Sequence, residues 1–302
     1  IGLTLLPVLY AQGGFDGAPR EEGQRRYVCD LDTYSQIVET VYAQGDAYSA
    51  GVAPHSLRAV GPDALQIAIE LAGEHPIHIH IAEQTREVEE CLAWSGARPV
   101  EWLLQNAEVD GRWCFVHATH MTAAETRALA ESGAVAGLCP MTEADLGDGI
   151  FPAEAFITAK GRIGIGSDSN VVVDGAEELR LLEFGQRLIH RKRNLLRLPG
   201  RASTGANLFE LAVHGGAGAI GREASGITVG SSADFIVLDG AAPLLAEKSG
   251  DDVLDTFIFS GGRSLIRDVF VGGRAVVTEG RHEAEAEISK DFSRVMKRLM
   301  SE

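Results

Sequence analysis

Along the first two thirds of the chain, short apolar runs alternate with longer stretches of helical period. The runs 3–9 (LTLLPVL), 48–53 (YSAGVA), 76–82 (PIHIHIA), 113–118 (WCFVHA), 134–139 (AVAGLC) and 162–167 (RIGIGS) have the length and content of buried strands. Helical spacing occupies 31–45, 62–73, 84–106 and 122–132. A strand followed each time by a helix or loop is the rhythm of a parallel sheet covered on both faces. Six such units in a row predict an α/β chain with a TIM-like (β/α)8 barrel rather than a doubly wound sheet. The glycine-rich phosphate fingerprint of nucleotide-binding sheets is missing from the sequence. From about 226 the texture changes. GITVGSSADFIVLDG and IRDVFVGGRAVVTEGRH read as strands and hairpins without crossover helices, with turns at GSSAD and VGGR. The expected organisation is a barrel part at 1–225, a small β part at 226–286 and a terminal helix at 287–302.

Composition narrows the class. At 302 residues, 45% hydrophobic and 23% charged, the chain can bury a large core and reads as soluble and globular. Its formal net charge of -16 repels phosphate backbones, which argues against nucleic acid as a partner. The opening apolar stretch IGLTLLPVLY is short, holds Pro7 and has no basic residues before it, so neither a membrane span nor a signal peptide is expected. Cys29, Cys91, Cys114 and Cys139 form no C-x-x-C pair, which fits a reducing cytoplasm and small buried thiols.

The chemistry gathers at strand ends. In His78-Ile79-His80-Ile81-Ala82-Glu83, the two histidines share one face of a strand and the isoleucines take the other. Glu83 falls just beyond the strand, where barrel enzymes keep their reacting groups. Taken singly, each histidine reads as a hydrogen-bonded core residue. His117 ends the next strand, however, and Asp168 follows the strand at 162–167, so imidazoles and a carboxylate converge at one mouth. Such groups suit zinc. His55 and Arg58, after the 48–53 strand, form a second cluster, and an arginine there can clamp a carboxylate through two parallel hydrogen bonds. His120 reads as a loop residue near the site. His75, His190, His214 and His282 read as solvated or helical, 190–194 as an exposed helix end, and Glu143, Asp145 and Asp148 as shaping a loop.

HIHIAE, VHATH and GIGSDS together resemble the fifth, sixth and eighth strands of the amidohydrolase superfamily. LTLLPVLY, EGQRR, APHSLRAV, HIHIAEQ, LCPMTEADLGDGIFP, GSDSN and RKRN narrow the resemblance to the N-formimino-L-glutamate deiminase family, over nearly the whole chain. The resemblance implies one Zn2+ per active site held in part by His80 and Asp168. It implies proton handling and water positioning by Glu83, His117 and Asp168, and a glutamate moiety held by His55 and Arg58. His78 shares the strand face without being a usual ligand. The implied reaction is hydrolytic deimination of a small acidic substrate in histidine breakdown, by a homodimer. The family places an H-x-H zinc-ligand pair on its first barrel strand. That strand, the second strand and part of a β-sandwich would precede Ile1, so strands three to eight are expected here. Asn170 stands where a histidine is expected in close relatives. Two other readings stay open: a related deaminase acting on a ring substrate, and a truncated, non-catalytic remnant.

Overall fold

A computed structural model describes residues 2–45, 48–169, 172–224 and 226–301. Asn170, singled out above, lies outside the described residues. The chain divides into two compact units, Gly2–Ala224 and 226–301.

In the first unit the expected strands at 3–9 and 48–53 are each shortened to two pieces. They are β1 (Thr4–Leu5) with β2 (Val8–Leu9), and β3 (Ser49–Ala50) with β4 (Ala53–Pro54), separated by the helix α1 (Leu31–Tyr42). Pro7 has no amide hydrogen to donate, and it stands at the break between β1 and β2. The hydrogen-bond ladder nevertheless runs through. Ser49, Gly51, Ala53 and His55 donate their amides to Leu3, Leu5, Pro7 and Leu9. After α2 (Pro62–Ala72) comes β5 (Ile77–Ile81), joined to this ladder by parallel bridges Val52–Ile77 and Ser56–His80.

The rest of the sheet is regular. α3 (Thr85–Ser95) and α4 (Pro99–Asn106) lead to β6 (Trp113–His117), then α5 (Ala123–Ser132), β7 (Val135–Leu138), α6 (Pro140–Leu146), α7 (Ala153–Thr158) and β8 (Arg162–Ile165). β5, β6, β7 and β8 pair in that order, all parallel. The six expected strand positions therefore lie side by side in sequence order, as one arc of a barrel.

The single helix expected at 84–106 is two helices. Gly96 takes a left-handed φ of 77° and closes α3, and Pro99 opens α4. Both residues were visible signals. α5 starts on a reciprocal cap in which Thr122 accepts from the Glu125 amide and Glu125 accepts from the Thr122 amide. Ile77, Ile79 and Ile81 are fully buried on one face of β5, where the alternating pattern placed them.

After β8 come α8 (Gly175–His190) and α9 (Thr204–Ala219). α9 lies directly on β8. A Cβ at Gly215 would collide with the carbonyl of Ile163, and one at Gly164 would stand 3.3 Å from the Gly216 backbone. Only glycine permits that approach.

The second unit holds β9 (Phe235–Leu238), α10 (Asp251–Thr256), β10 (Ile266–Val271), β11 (Arg274–Thr278), β12 (Arg281–His282) and α11 (Glu285–Leu299). The four strands form one antiparallel sheet in the order β12-β11-β10-β9. Gly272 and Gly273, both at positive φ, make the two-residue turn expected at VGGR. Two expectations are corrected. Residues 226–234 do not join the sheet, and the connection from β9 to β10 is largely helical rather than free of helix. Among the described residues, no helix is long and apolar enough to cross a membrane.

Candidate active site

The candidate groups sit at or just past the C-terminal ends of parallel strands, and the backbone there is unusual. Ala82 (φ 49°), His117 (φ 67°), Ala118 (φ 48°) and Asp168 (φ 46°) are all left-handed without being glycine. Each such residue costs about 1 kcal/mol or more, so its surroundings must hold it. By strict alternation His117 would share the face of Trp113 and Phe115, away from the barrel mouth. Its left-handed turn brings its ring beside Asp168 and Glu83 instead.

The structure brings His55, His80, Glu83, His117 and Asp168 together. Rings form a row: Tyr10 and His55 have centroids 4.7 Å apart, His55 and His80 4.9 Å, His80 and His117 5.6 Å. Nε2 of His117 lies 3.5 Å from Asp168 Oδ2 and 3.7 Å from Glu83 Oε1. Both separations exceed hydrogen-bonding distance, and this buried nitrogen has no hydrogen-bond partner. On its other side, Nδ1 faces Glu143 Oε1 at 3.3 Å.

Nδ1 of His80 lies 2.9 Å from the His55 carbonyl oxygen. A carbonyl only accepts, so Nδ1 carries the proton and Nε2 is left with its lone pair, the arrangement found in metal-ligating histidines. His78 differs. Its Nε2 bonds the Ala219 carbonyl at 2.6 Å, which ties it to α9 and away from the cluster.

Electrostatics divide the imidazoles. Burial pushes His55 down to about 4, helped by His80 and Arg58. His80 is also lowered, chiefly by burial. Burial acts the same way on His117, but the Glu143 hydrogen bond and the carboxylates of Glu83, Glu143 and Asp168 outweigh it, so this imidazole is raised. Glu83 is raised as well, by burial first, with the charge of His117 opposing and Asp148 adding. The site thus contains two imidazoles that release their protons more readily than usual, and a carboxyl group and an imidazole that hold theirs more tightly.

Arg58 is half-buried, and its buried Nε lacks a hydrogen-bond partner. Its charge is felt by His55, His80, Glu83 and Glu87. The donor set suits a divalent metal. His80 offers Nε2, and the donor atoms of His117, Cys139 and Asp168 lie within 4.8 Å of one another.

Three contributors escaped the sequence reading. Cys139, taken as a small buried hydrophobe, belongs to the donor group. Glu87, fully buried, accepts the amides of Ala82 and Glu83 at 3.0 Å each and so holds the left-handed turn that carries Glu83. An acid in the first turn of the helix was the available signal, but nothing in it told which amides it meets. Glu143, read as shaping a loop, touches His117 directly. Of the remaining residues, His120 is a loop residue near the site, with Nε2 on the Asp148 carbonyl at 2.7 Å. Asp148 in turn accepts from Gln84, next to Glu83. His75 lies tilted against Tyr42, His190 and His214 are helical, and His282 is exposed on β12.

Comparison with known proteins gives a consistent picture. The family model described as "Amidohydrolase family" matches residues 9–276. The chain is 51% identical to formimidoylglutamate deiminase of Pseudomonas aeruginosa over 99% of its own length and 67% of that protein's. A crystal structure of an amidohydrolase from Brucella melitensis superposes with a TM-score of 0.94 at 49% identity, covering 99% of this chain and 67% of that one. An adenosine deaminase from Xanthomonas campestris with bound zinc shares the fold, with a TM-score of 0.82 at 24% identity over 98% of this chain and 66% of the other. The chain thus spans about two thirds of the length of these relatives.

Proposed function

Because the chain belongs to the amidohydrolase family, we propose that it serves the hydrolytic deimination of N-formimino-L-glutamate to N-formyl-L-glutamate and ammonia. Water adds to the formimino carbon, the carbon–nitrogen bond to the imino nitrogen breaks, and that nitrogen leaves with the protons it has gained.

His80, through its free Nε2, and Asp168 would hold a divalent metal, which we take to be zinc from the mixed nitrogen and oxygen donors. When bound, zinc supplies a Lewis acid that makes water acidic enough to react near neutral pH. The chain's own groups handle the protons. His117 presents an unpartnered Nε2 beside Asp168, placed to accept a proton from the attacking water. Glu83, whose carboxyl group burial makes hold its proton more tightly than usual, delivers a proton to the departing nitrogen. Arg58 and His55 receive the glutamate carboxylate, so a small acidic ligand binds despite the chain's net negative charge.

One observation carries this choice over a ring deaminase: the half-buried Arg58, with an unpartnered Nε, stands beside the cluster as a cation able to receive a carboxylate. A carboxylate gives that nitrogen a charge-assisted hydrogen bond, which a neutral heterocycle does not supply. The P. aeruginosa deiminase likeness points the same way. Cytosolic residence suits the four free cysteines, and a homodimer belongs to the same reading.

The test is bound zinc per chain by elemental analysis, in this protein and in Asp168→Ala, together with ammonia release from N-formimino-L-glutamate and from 5′-methylthioadenosine. One zinc that disappears in the variant, with release from the first substrate only, is the expected result. Release from the nucleoside alone would replace this reading with the ring deaminase. No zinc and no release in either protein would make this chain inert by itself.

A further inference from the structure

We propose that Glu143 is a positioning residue that fixes the tautomer and ring plane of His117, so that Nε2 faces the reacting centre as a bare lone pair. The proposal rests on the hydrolase reading given above for its catalytic consequence, though not for its geometry.

Glu143 belongs to the first turns of α6, directly after the Cys139 strand end, and is 3% exposed. Its backbone is pinned on both sides, because its amide donates to the Cys139 carbonyl and its own carbonyl accepts from the Asp148 amide. The side chain turns back towards the strand. Oε1 accepts the Cys139 amide hydrogen at 3.0 Å and meets His117 Nδ1 at 3.3 Å. A carboxylate oxygen has no proton to give, so the proton on the second contact belongs to Nδ1. A neutral imidazole that donates from Nδ1 has no proton on Nε2, the nitrogen that lies 3.5 Å from Asp168 and 3.7 Å from Glu83. With the other tautomer, Nε2–H would point at those carboxylates and could accept nothing.

The ring has few other constraints. His117 is fully buried on a left-handed backbone, and its only side-chain hydrogen bond found among the described residues is to Glu143. Without Glu143 the imidazole is free to flip its ring or exchange its tautomer, and it would be drawn to donate towards Asp168 and Glu83.

A simpler role is possible for such a residue, namely holding the Cys139 amide at the start of α6, and the experiment separates the two. The Glu143→Gln variant keeps an amide oxygen that can accept both N–H groups, whereas Glu143→Leu removes the acceptor at similar volume. Two readouts are used on the full chain with metal content checked. The first is nitrogen-15 histidine NMR on the alkaline side of the His117 titration, with the signals assigned by their loss in His117→Asn. The expected result is an Nδ1–H tautomer in the parent and in Glu143→Gln, and a mixed or Nε2–H tautomer in Glu143→Leu. The second is steady-state kinetics, where Glu143→Leu should lose roughly 10²-fold in kcat with KM within about twofold, and Glu143→Gln should retain most of kcat. An unchanged Nδ1–H tautomer in a folded Glu143→Leu overturns the proposal. So does a kcat loss in the Gln variant as large as in the Leu variant while its tautomer is unchanged. The NMR arm needs no turnover. A tautomer change in a chain that releases no ammonia supports the positioning role and counts against the deiminase reading alone.

Discussion

Replacing Glu178 by Gln isolates the energetic cost of one buried carboxylate behind the site. Glu178 lies in the first turn of α8 and is 1% exposed. Oε2 accepts the Met141 amide at 2.8 Å, while Oε1 is buried without a hydrogen-bond partner. Burial pushes the carboxyl up from 4.5 to about 7, the Met141 amide opposing and the charges of Glu143 and Asp174 adding. That gap, at about 1.36 kcal/mol per tenfold change in proton affinity, amounts to about 3 kcal/mol. The sign follows from which state holds the proton more tightly. Below pH 4.5 the group is neutral in both folded and unfolded chains and costs nothing. As pH rises from 4.5 through about 7, the unfolded chain ionises first and the folded state loses stability, until the full cost is present above 7. Gln is neutral throughout and keeps an oxygen for Met141, and its amide can donate towards the neighbouring carboxylates. The difference in unfolding free energy between Glu178→Gln and the parent should therefore grow from near zero below pH 4.5 to about 3 kcal/mol above pH 7. Urea unfolding followed by tryptophan fluorescence measures it, because Trp94, Trp102 and Trp113 all belong to the first unit. A difference that stays flat between pH 5 and 8 would refute the reasoning.

Glu83→Gln should nearly abolish ammonia release while leaving bound metal unchanged; normal turnover would remove Glu83 from proton delivery. Arg58→Met should raise KM for the acidic substrate by roughly 30–150-fold, the worth of a charge-assisted pair of about 2–3 kcal/mol, with a smaller effect on kcat. An unchanged KM would discard the carboxylate clamp. Glu87→Ala leaves the amides of Ala82 and Glu83 without their buried acceptor. It should lower the unfolding free energy by about 2–4 kcal/mol and reduce kcat as the Glu83 loop relaxes, both checked by urea unfolding and initial rates.

Much of this was legible from local pattern. The apolar runs mark six strand positions because a parallel sheet covered on both faces demands them. The alternation in HIHI fixes the isoleucines on one face of β5, and Gly96 with Pro99 already signals the helix break that the periodicity alone passes over. The placing of His80, Glu83, His117 and Asp168 at strand ends is likewise a property of their order along the chain.

What the sequence could not determine concerns directions and partners. His117 counted along its strand belongs to the wrong face, and only the left-handed backbone at its own position, bounded by Ala118 hydrogen bonds to Ile81 and Val116, turns it to the site. Glu143 is 26 residues from His117 in sequence and 3.3 Å from it in space. Cys139 reads as a small hydrophobe until Asp168 is placed beside it, and the burial of Glu178 comes from the fold alone. The physical reason is common to all four. Residue type and period report which atoms prefer to leave water. Burial, tautomer and proton affinity depend on which groups from other strands and helices arrive within a few ångströms, and that is settled only when the sheet closes on its helices.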